Sequence, residues 1–221
     1  VWFHGNTISL DHQGGCCLKI SDCTFHGYSQ YHIRSTASAG DIRVSGCEFF
    51  DSAVNHFFSN NGFNYVFINN VMEDSNVNQG HYIHLEGTAT SSRFVNNWFG
   101  GGAVDVFPAR AIELIGSGIN NIIIADNRFG DMWGAGVFIV DAKEISISGN
   151  TFHVGSSESQ HAIWVDSTAN GREQWITITG NVFGDCYPAA GCNPRKIVVS
   201  GNCMPLGGSF CSEAGVVSTG N

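Results

Sequence analysis

The chain has few positively charged residues and no long apolar run. Only 10 of its 221 residues are Lys or Arg, against 19 Asp and Glu, which gives a formal net charge of −9. So few cations do not suit the phosphate backbone of nucleic acid, so we expect no nucleic-acid partner. No window stays apolar for long enough to cross a bilayer, so we expect no membrane span.

Two classes of repeat are excluded by what the sequence lacks. No useful window places apolar residues at helical spacing, and no Leu-dominated frame is present, which argues against helical and leucine-rich repeats. The chain contains instead short runs of β-branched and aromatic residues, separated by Gly, Asn, Asp and Ser. With 43% hydrophobic residues, 28 Gly and only 4 Pro, this composition predicts many short strands joined by turns.

One short phrase recurs along the whole chain. Its clearest copy, residues 145–152, is an alternating apolar strand that runs into a Gly-Asn turn and ends on an aromatic residue. Successive copies lie roughly 20 to 30 residues apart, which is the period of stacked repeats. The other copies occupy residues 20–25, 44–49, 67–72, 94–99, 124–129, 178–183 and 199–204, with a degenerate copy at 3–8.

This repeat predicts an all-β fold, a single-stranded right-handed parallel β-helix of about eight to nine coils. Stacking would place equivalent residues of neighbouring coils about 4.8 Å apart, so that side-chain amides can bond along a ladder. Cys23 and Cys47 replace Asn in two rungs. The expected structural ladder consists of Asn70, Asn97, Asn127, Asn150, Asn181 and Asn202.

We expect a single domain. The 221 residues are enough for one solenoid with a continuous apolar core, and no linker is visible. The chain begins at Val1 inside a repeat, without Met. Residues 1–221 are therefore expected to be a fragment of a longer chain.

The eight cysteines indicate an oxidising or extracellular setting. Cys186 and Cys192 bracket a short loop, as do Cys203 and Cys211, and each pair is a possible disulfide. The four cysteines nearer the N-terminus can equally be small buried hydrophobes. No Cys-x-x-Cys pair exists, so we expect no structural metal.

A second strand lies between successive phrases, and its outward residues are the candidate site. We align its copies on apolar residues expected to face inward, and alternation then turns the intervening residues outward. Flanking coils contribute Arg34 and Asn60 to the outward residues. The inward residues are Ile83 and Leu85, Ile112 and Leu114, Phe138 and Val140, and Ile163 and Val165. The outward residues are His84 and Glu86, Glu113 and Ile115, Ile139 and Asp141, and Trp164 and Asp166.

The outward acids suggest glycoside hydrolysis, which requires a pair of carboxylates. In this alignment Asp141 and Asp166 are equivalent, about 5 Å apart, with Glu113 nearby and Glu86 about 10 Å from Asp141. The repulsion between adjacent acids raises one pKa and so supplies a general acid. The alternative is that these acids are ordinary charges on a solvated sheet.

Substrate binding is assigned to side chains beside these acids. Trp164 is expected to stack on a sugar and His84 to assist as a base or hydrogen-bond donor, with Arg34 and Asn60 as further contacts. His81 and His84 are three residues apart on a strand, and strict alternation places them on opposite faces. We therefore expect no joint metal ligation by these two histidines.

Three copies of the phrase carry a resemblance to a known family. Ile-Ser-Gly-Asn-Thr-Phe (147–152), Ile-Thr-Gly-Asn-Val-Phe (178–183) and Ile-Ala-Asp-Asn-Arg-Phe (124–129) look like coils of the pectate-lyase-like right-handed β-helix superfamily. They most resemble the β-helix region of bacteriophage tailspikes and related polysaccharide depolymerases. The resemblance covers nearly the whole chain, but the phrase carries no catalytic residue. It implies a polysaccharide ligand and, for tailspikes, a homotrimer at the virion surface that cleaves host glycans.

The sequence departs from several members of that superfamily. It lacks the Asn-Thr-Asp, Asp-Asp and Gly-His-Gly series of polygalacturonases and the calcium-binding acidic cluster of pectate lyases. The first functional hypothesis is a tailspike-type endo-glycosidase without a cofactor. The second is a secreted lyase or epimerase, which could require calcium, and the third is a non-catalytic receptor-binding spike or adhesin.

Overall fold

The computed structural model describes residues 1–5, 7–27, 30–36, 38–51, 54–73, 81–100, 110–132, 135–154, 161–166, 175–184, 187–192, 197–202 and 216–219. The regular structure in these ranges is entirely β-strand. Within them there is no helix with the length and apolar character needed to cross a membrane.

The described strands are short and follow one another in close succession. Those of the first half are β1 (Trp2–His4), β2 (Ile8–His12), β3 (Lys19–Ser21), β4 (Thr24–His26), β5 (Tyr31–Ser35), β6 (Ala39–Gly40), β7 (Arg43–Ser45), β8 (Glu48–Phe50), β9 (Asn55–Phe63), β10 (Val66–Ile68), β11 (Val71–Glu73), β12 (His81–Thr90) and β13 (Arg93–Val95). Those of the second half are β14 (Trp98–Gly100), β15 (Ile112–Ile115), β16 (Asn120–Ala125), β17 (Arg128–Met132), β18 (Val137–Val140), β19 (Lys143–Ser148), β20 (Thr151–Val154), β21 (His161–Asp166), β22 (Ile176–Thr179), β23 (Val182–Phe183), β24 (Tyr187–Cys192), β25 (Ile197–Ser200) and β26 (Val216–Thr219).

These strands pair only in parallel, each with the equivalent strand of the next coil. Sheet A consists of β1, β4, β8, β11, β14, β17, β20 and β23. Row B runs through β2, β5, β9, β12, β15, β18, β21 and β24. Row C runs through β3, β7, β10, β13, β16, β19, β22, β25 and β26. The chain is thus an all-β parallel solenoid, which confirms the predicted β-helix class.

An aromatic stack fills the core behind sheet A. The closing residue of each phrase lies in register with that of the next coil. The rings of Phe129 and Phe152 are stacked with centroids 4.5 Å apart, and those of Phe25 and Phe49 are 4.7 Å apart. Fully burying one such ring stabilises the fold by about 2 kcal/mol. The stack contains Phe3, Phe25, Phe49, Met72, Phe99, Phe129, Phe152 and Phe183.

The asparagine ladder lies at the turn before sheet A. All six ladder side chains are buried, and the Nδ2 of each of the first five donates to the Oδ1 of the next. The Nδ2 of Asn97, for example, lies 3.0 Å from the Oδ1 of Asn127, which also accepts the backbone N–H of Asn97 at 2.9 Å. Cys47 donates its backbone N–H to Asn70 at 2.9 Å. The same bonds link Asn70 to Asn97, Asn127 to Asn150, Asn150 to Asn181 and Asn181 to Asn202.

The residue before each rung explains the Gly, Asn or Asp of the phrase. Its backbone is left-handed in every described coil, a conformation that these three residue types adopt most easily. At Gly149 a Cβ would in addition approach the carboxylate of Asp126 to 2.4 Å. The left-handed residues are Asp22, Gly46, Asn69, Asn96, Asp126, Gly149, Gly180 and Gly201.

Strands of row B begin at a bend, where the strict alternation of inward and outward side chains breaks. Two successive residues are buried there, because the chain turns around the core and both side chains face inward. Tyr82 and Ile83 form one such pair, and His56 and Phe57 another. If strict alternation is continued across this bend, the inward and outward faces are therefore assigned the wrong way round.

Candidate functional site

The parallel register of row B lines up one outward residue from each coil. We call this series the outer column. Because neighbouring strands lie about 4.8 Å apart, each member is in reach of the next. The outer column consists of Asp11, Arg34, Phe58, His84, Glu113, Phe138 and Trp164.

Four polar residues meet at the centre of this column. We call His81, His84, Arg110 and Glu113 the Glu113 cluster. Glu113 Oε2 lies 2.7 Å from His84 Nδ1 and 3.2 Å from His81 Nε2. The guanidinium of Arg110 donates to the other carboxylate oxygen, Oε1. Glu113 is buried, with 3% of its side chain exposed, so a charge in low dielectric is compensated on both oxygens.

The surroundings of Glu113 hold it in its ionised form. Burial alone would raise its pKa, but the neighbouring His84, His81 and Arg110 outweigh burial and lower the pKa from 4.5 to about 2. Glu113 is therefore a carboxylate throughout the neutral range. It can orient a histidine or stabilise a positive charge, but it has no proton to give as a general acid.

His81 is a neutral donor in this cluster. Burial lowers its pKa from 6.5 to about 4. Its Nδ1 accepts the backbone N–H of Arg110 at 3.2 Å, so its proton resides on Nε2, which faces Glu113. The expectation that His81 and His84 lie on opposite faces is wrong. The buried pair Tyr82 and Ile83 between them restores both histidines to the outside.

The cluster also contains a candidate set of metal ligands. One ligand atom each from His81, His84 and Glu113 lies within 4.8 Å of the others. A histidine that binds a metal through Nε2 must carry its proton on Nδ1 and donate it onward. In His81 that position faces the Arg110 N–H, which is itself a donor. This arrangement of protons favours the ion-paired cluster over a metal centre.

His84 is positioned to transfer a proton. Its Nδ1 lies 2.7 Å from the buried carboxylate of Glu113 without a hydrogen bond of regular geometry, and its Nε2 lies 3.4 Å from the carboxylate of Glu86, of which 44% is exposed. A carboxylate only accepts, so the Nε2–H of His84 donates to Glu86, and this is the proton that His84 can transfer. A buried carboxylate that orients a histidine in this way is the arrangement found in hydrolytic triads.

Aromatic rings flank the cluster in both directions along the column. On one side the Phe58 ring lies 5.3 Å from His84 and stacks on Tyr31 at 5.1 Å. On the other side Phe138 packs against the edge of Trp164, with centroids 6.0 Å apart, and Arg110 lies 3.4 Å over the Phe138 ring. Trp164 is 36% exposed. The cluster thus lies between two aromatic surfaces.

The predicted equivalence of Asp141 and Asp166 is wrong by one residue. Val137 and Ile139 are the inward residues of β18, so Phe138 faces outward and Val140, not Asp141, pairs with Asp166. Asp141 follows the strand at a left-handed turn with φ of 57°. Of the four candidate acids, the structure brings only Glu86 and Glu113 together, through His84.

Two predicted binding residues lie away from the cluster. Arg34 belongs to the outer column but is held by Asp11, with Nε 2.9 Å from Oδ1 and Nη2 2.5 Å from Oδ2. Asn60 is exposed in β9, beside the irregularity in the pairing of β9 with β12.

The predicted disulfides fall largely outside the described residues. Cys186, Cys203 and Cys211 lie outside them, and Cys192 is described only as the last residue of β24. Cys16, Cys17, Cys23 and Cys47 are free thiols, of which Cys47 is buried.

Sequence reasoning missed His81, Arg110 and Phe138. The signal for His81 and Arg110 is the pair of adjacent inward residues near the start of several row B strands, such as Ala111 and Ile112. The all-apolar strand β18 offers no such signal for Phe138. Comparison with known proteins adds no assignment. No family model matches the chain, and no curated protein matches it.

Proposed function

We propose that the chain binds a polysaccharide along the outer column and cleaves it as an endo-glycosidase. His84 transfers the proton, Glu113 orients His84, and Glu86 supplies the carboxylate that faces the developing positive charge on the sugar. The observation that carries this proposal is the buried Glu113 carboxylate 2.7 Å from His84 Nδ1, with Nε2 directed toward Glu86.

The aromatic flanks support a glycan as ligand. Aromatic rings offer flat apolar surfaces, which suit the apolar faces of sugar rings. Phe58 and Trp164 are four strands apart in the outer column, or about 19 Å, so the face suits an extended chain rather than a single small molecule.

A second candidate is a lyase or epimerase of the same fold. The observation that favours it is again His84, because a histidine oriented by a buried carboxylate can remove a proton next to a sugar carboxylate. Such a reaction additionally requires neutralisation of the substrate carboxylate, for which calcium is the usual ion in lyases that the chain resembles.

The remaining proposals concern architecture and setting. The eight strands of sheet A support a solenoid of eight to nine coils, and parallel crossover connections are almost always right-handed. Membership of the pectate-lyase-like superfamily, a homotrimer, and an extracellular or virion-surface location rest on the recurring phrase alone.

The experiment is a cleavage assay on bacterial capsular and exopolysaccharides, with and without chelator. New reducing ends without an unsaturated product indicate hydrolysis, and ultraviolet absorbance of an unsaturated product indicates elimination. We expect Glu113→Gln and Glu86→Gln each to lower cleavage by at least about 100-fold. Glu48→Gln, an exposed acid on sheet A, is the matched control. Binding without cleavage by the unmodified chain would leave a recognition spike and contradict the proposed enzyme.

A further inference from the structure

The cations along the proposed glycan face are already engaged. Among the described residues of row B and those that flank its strands, the Lys and Arg side chains are Arg34 and Arg110. Arg34 makes a two-pronged contact with Asp11, and Arg110 is shared between Glu113 and the Phe138 ring. Neither guanidinium offers an uncompensated positive charge to a ligand.

The acids of the same face outnumber these cations. Beyond the paired Asp11 and Glu113, the face carries Glu86 and Asp166. They lie on one register line, in which Glu86 aligns with Ile115, Val140 and Asp166 in turn. The two carboxylates are therefore three strands apart, or about 14 Å. One oxygen of Asp166, Oδ1, is buried and has no hydrogen-bond partner among the described residues.

A carboxylate or sulfate on the ligand would meet the negative charge of Glu86 and Asp166, which no described Lys or Arg side chain neutralises. Like charges across an interface oppose association, whereas hydroxyl and ammonium groups donate hydrogen bonds to carboxylates. The face thus presents aromatic surfaces and acceptors and lacks free cations among its described residues. These features together select for donor-rich, uncharged or positively charged sugars.

We propose that the glycan segment bound on the outer column is neutral or contains amino sugars, and bears no carboxylate. This inference rests on the proposed glycan function and sharpens it. Elimination requires a sugar carboxylate beside the proton that is removed, so a site that excludes such sugars is a hydrolase site. The second candidate, the lyase, would then not apply to this face.

The test compares acidic polysaccharides with their own carboxyl-reduced forms. Alginate, polygalacturonate and acidic capsular polysaccharides are each reduced so that linkage and length are kept while the charge is removed. Neutral and amino-sugar exopolysaccharides complete the panel. We expect the full chain to bind the reduced member of a recognised pair at least about tenfold more tightly, with a gap that narrows at high salt.

A double variant assigns the discrimination to the named acids. Glu86→Gln with Asp166→Asn should reduce the gap between the two members to less than about threefold. Glu48→Gln, on sheet A, should leave the gap unchanged. Tighter binding of the acidic member, or its cleavage to an unsaturated product, would overturn this inference while supporting glycan cleavage. No binding to any glycan would overturn both the inference and the proposed function.

Discussion

Two groups of polar side chains inside the solenoid, the asparagine ladder and the Glu113 cluster, differ in kind. The asparagine ladder repeats one residue in coil after coil, and each amide donates to the next. The Glu113 cluster spans two neighbouring coils and combines two histidines, an arginine and a carboxylate. The ladder is neutral and satisfies itself, whereas the cluster keeps charges buried. The repeated amides of the ladder serve the fold, whereas the buried charges of the Glu113 cluster lie beside exposed acids and aromatic rings and point to a function.

The largest expected effect is the loss of one rung of the ladder. Asn127→Leu removes the acceptor of the backbone N–H and the Nδ2 of Asn97 and the donor to Phe94 and Asn150. Each buried group left without a partner costs about 1–3 kcal/mol, so we expect a loss of about 4 kcal/mol in the free energy of unfolding. Urea denaturation measures it. Thr151→Ala, at an exposed neighbour of the ladder, should stay within about 0.5 kcal/mol.

Disrupting the Glu113 cluster should lower the free energy of unfolding by less than the loss of a ladder rung, but it should reduce cleavage more. Glu113→Leu leaves Arg110 without its carboxylate, and we expect a loss of about 3 kcal/mol in the free energy of unfolding together with loss of cleavage. Adding Arg110→Met removes the stranded charge, so the double variant should regain most of the stability but none of the activity. A double variant less stable than Glu113→Leu alone would contradict this account of the pair.

Acid should act on the titrating groups and leave the ladder amides unchanged. Burial lowers the pKa of His32 to about 2 and that of His56 to about 3, and the two rings contact through Nδ1 atoms 2.8 Å apart. The pKa of His81 is lowered to about 4. Below the ordinary histidine value of 6.5, the unfolded chain binds protons that these folded residues do not. The free energy of unfolding therefore falls as the pH falls through the range below 6.5.

Glu113 adds to this loss at lower pH. Its pKa is lowered from 4.5 to about 2, so its contribution to stability is present above 4.5 and is lost as the pH falls toward 2.

Thermal midpoints measured between about pH 7.5 and pH 4 give the slope of stability against pH that the buried histidines produce. His56→Phe, which keeps a ring between His32 and Tyr82, should flatten it. His153→Asn, at an exposed position, should not, and an unchanged slope in His56→Phe would contradict the role of the buried pair.

The smallest expected effect concerns Asp141. Asp141→Asn changes a residue at a left-handed turn beyond the end of β18, a backbone conformation that Asn also adopts. We expect cleavage to change by less than about twofold and stability by less than about 0.5 kcal/mol. The cleavage rate of Asp141→Asn, measured beside that of Glu86→Gln, tests this prediction. A large loss of activity in Asp141→Asn would show that the acid pair does not lie at the cluster.

Part of the site was within reach of the sequence. The sequence places Glu113, His84 and Trp164 on the outward face, because the inward apolar residues Ile83, Ile112 and Ile163 anchor the alternation in their strands. In β18 all four residues are apolar, so the pattern does not distinguish Phe138 from Val137 as the inward residue. A slip of one residue there reverses every face, and this produced the mistaken pairing of Asp141 with Asp166.

The sequence by itself determined the β-solenoid, because the ladder residue and the left-handed residue before it depend on local backbone conformation and recur in each coil. Asn150 and Gly149, for instance, can be identified from the sequence of their own coil. Only the tertiary structure decided the Glu113 cluster. It depends on a bend that turns Tyr82 and Ile83 inward together and on the register of β12 with β15, which sets Glu113 beside His84. Such register is a property of paired strands, and no single strand encodes it.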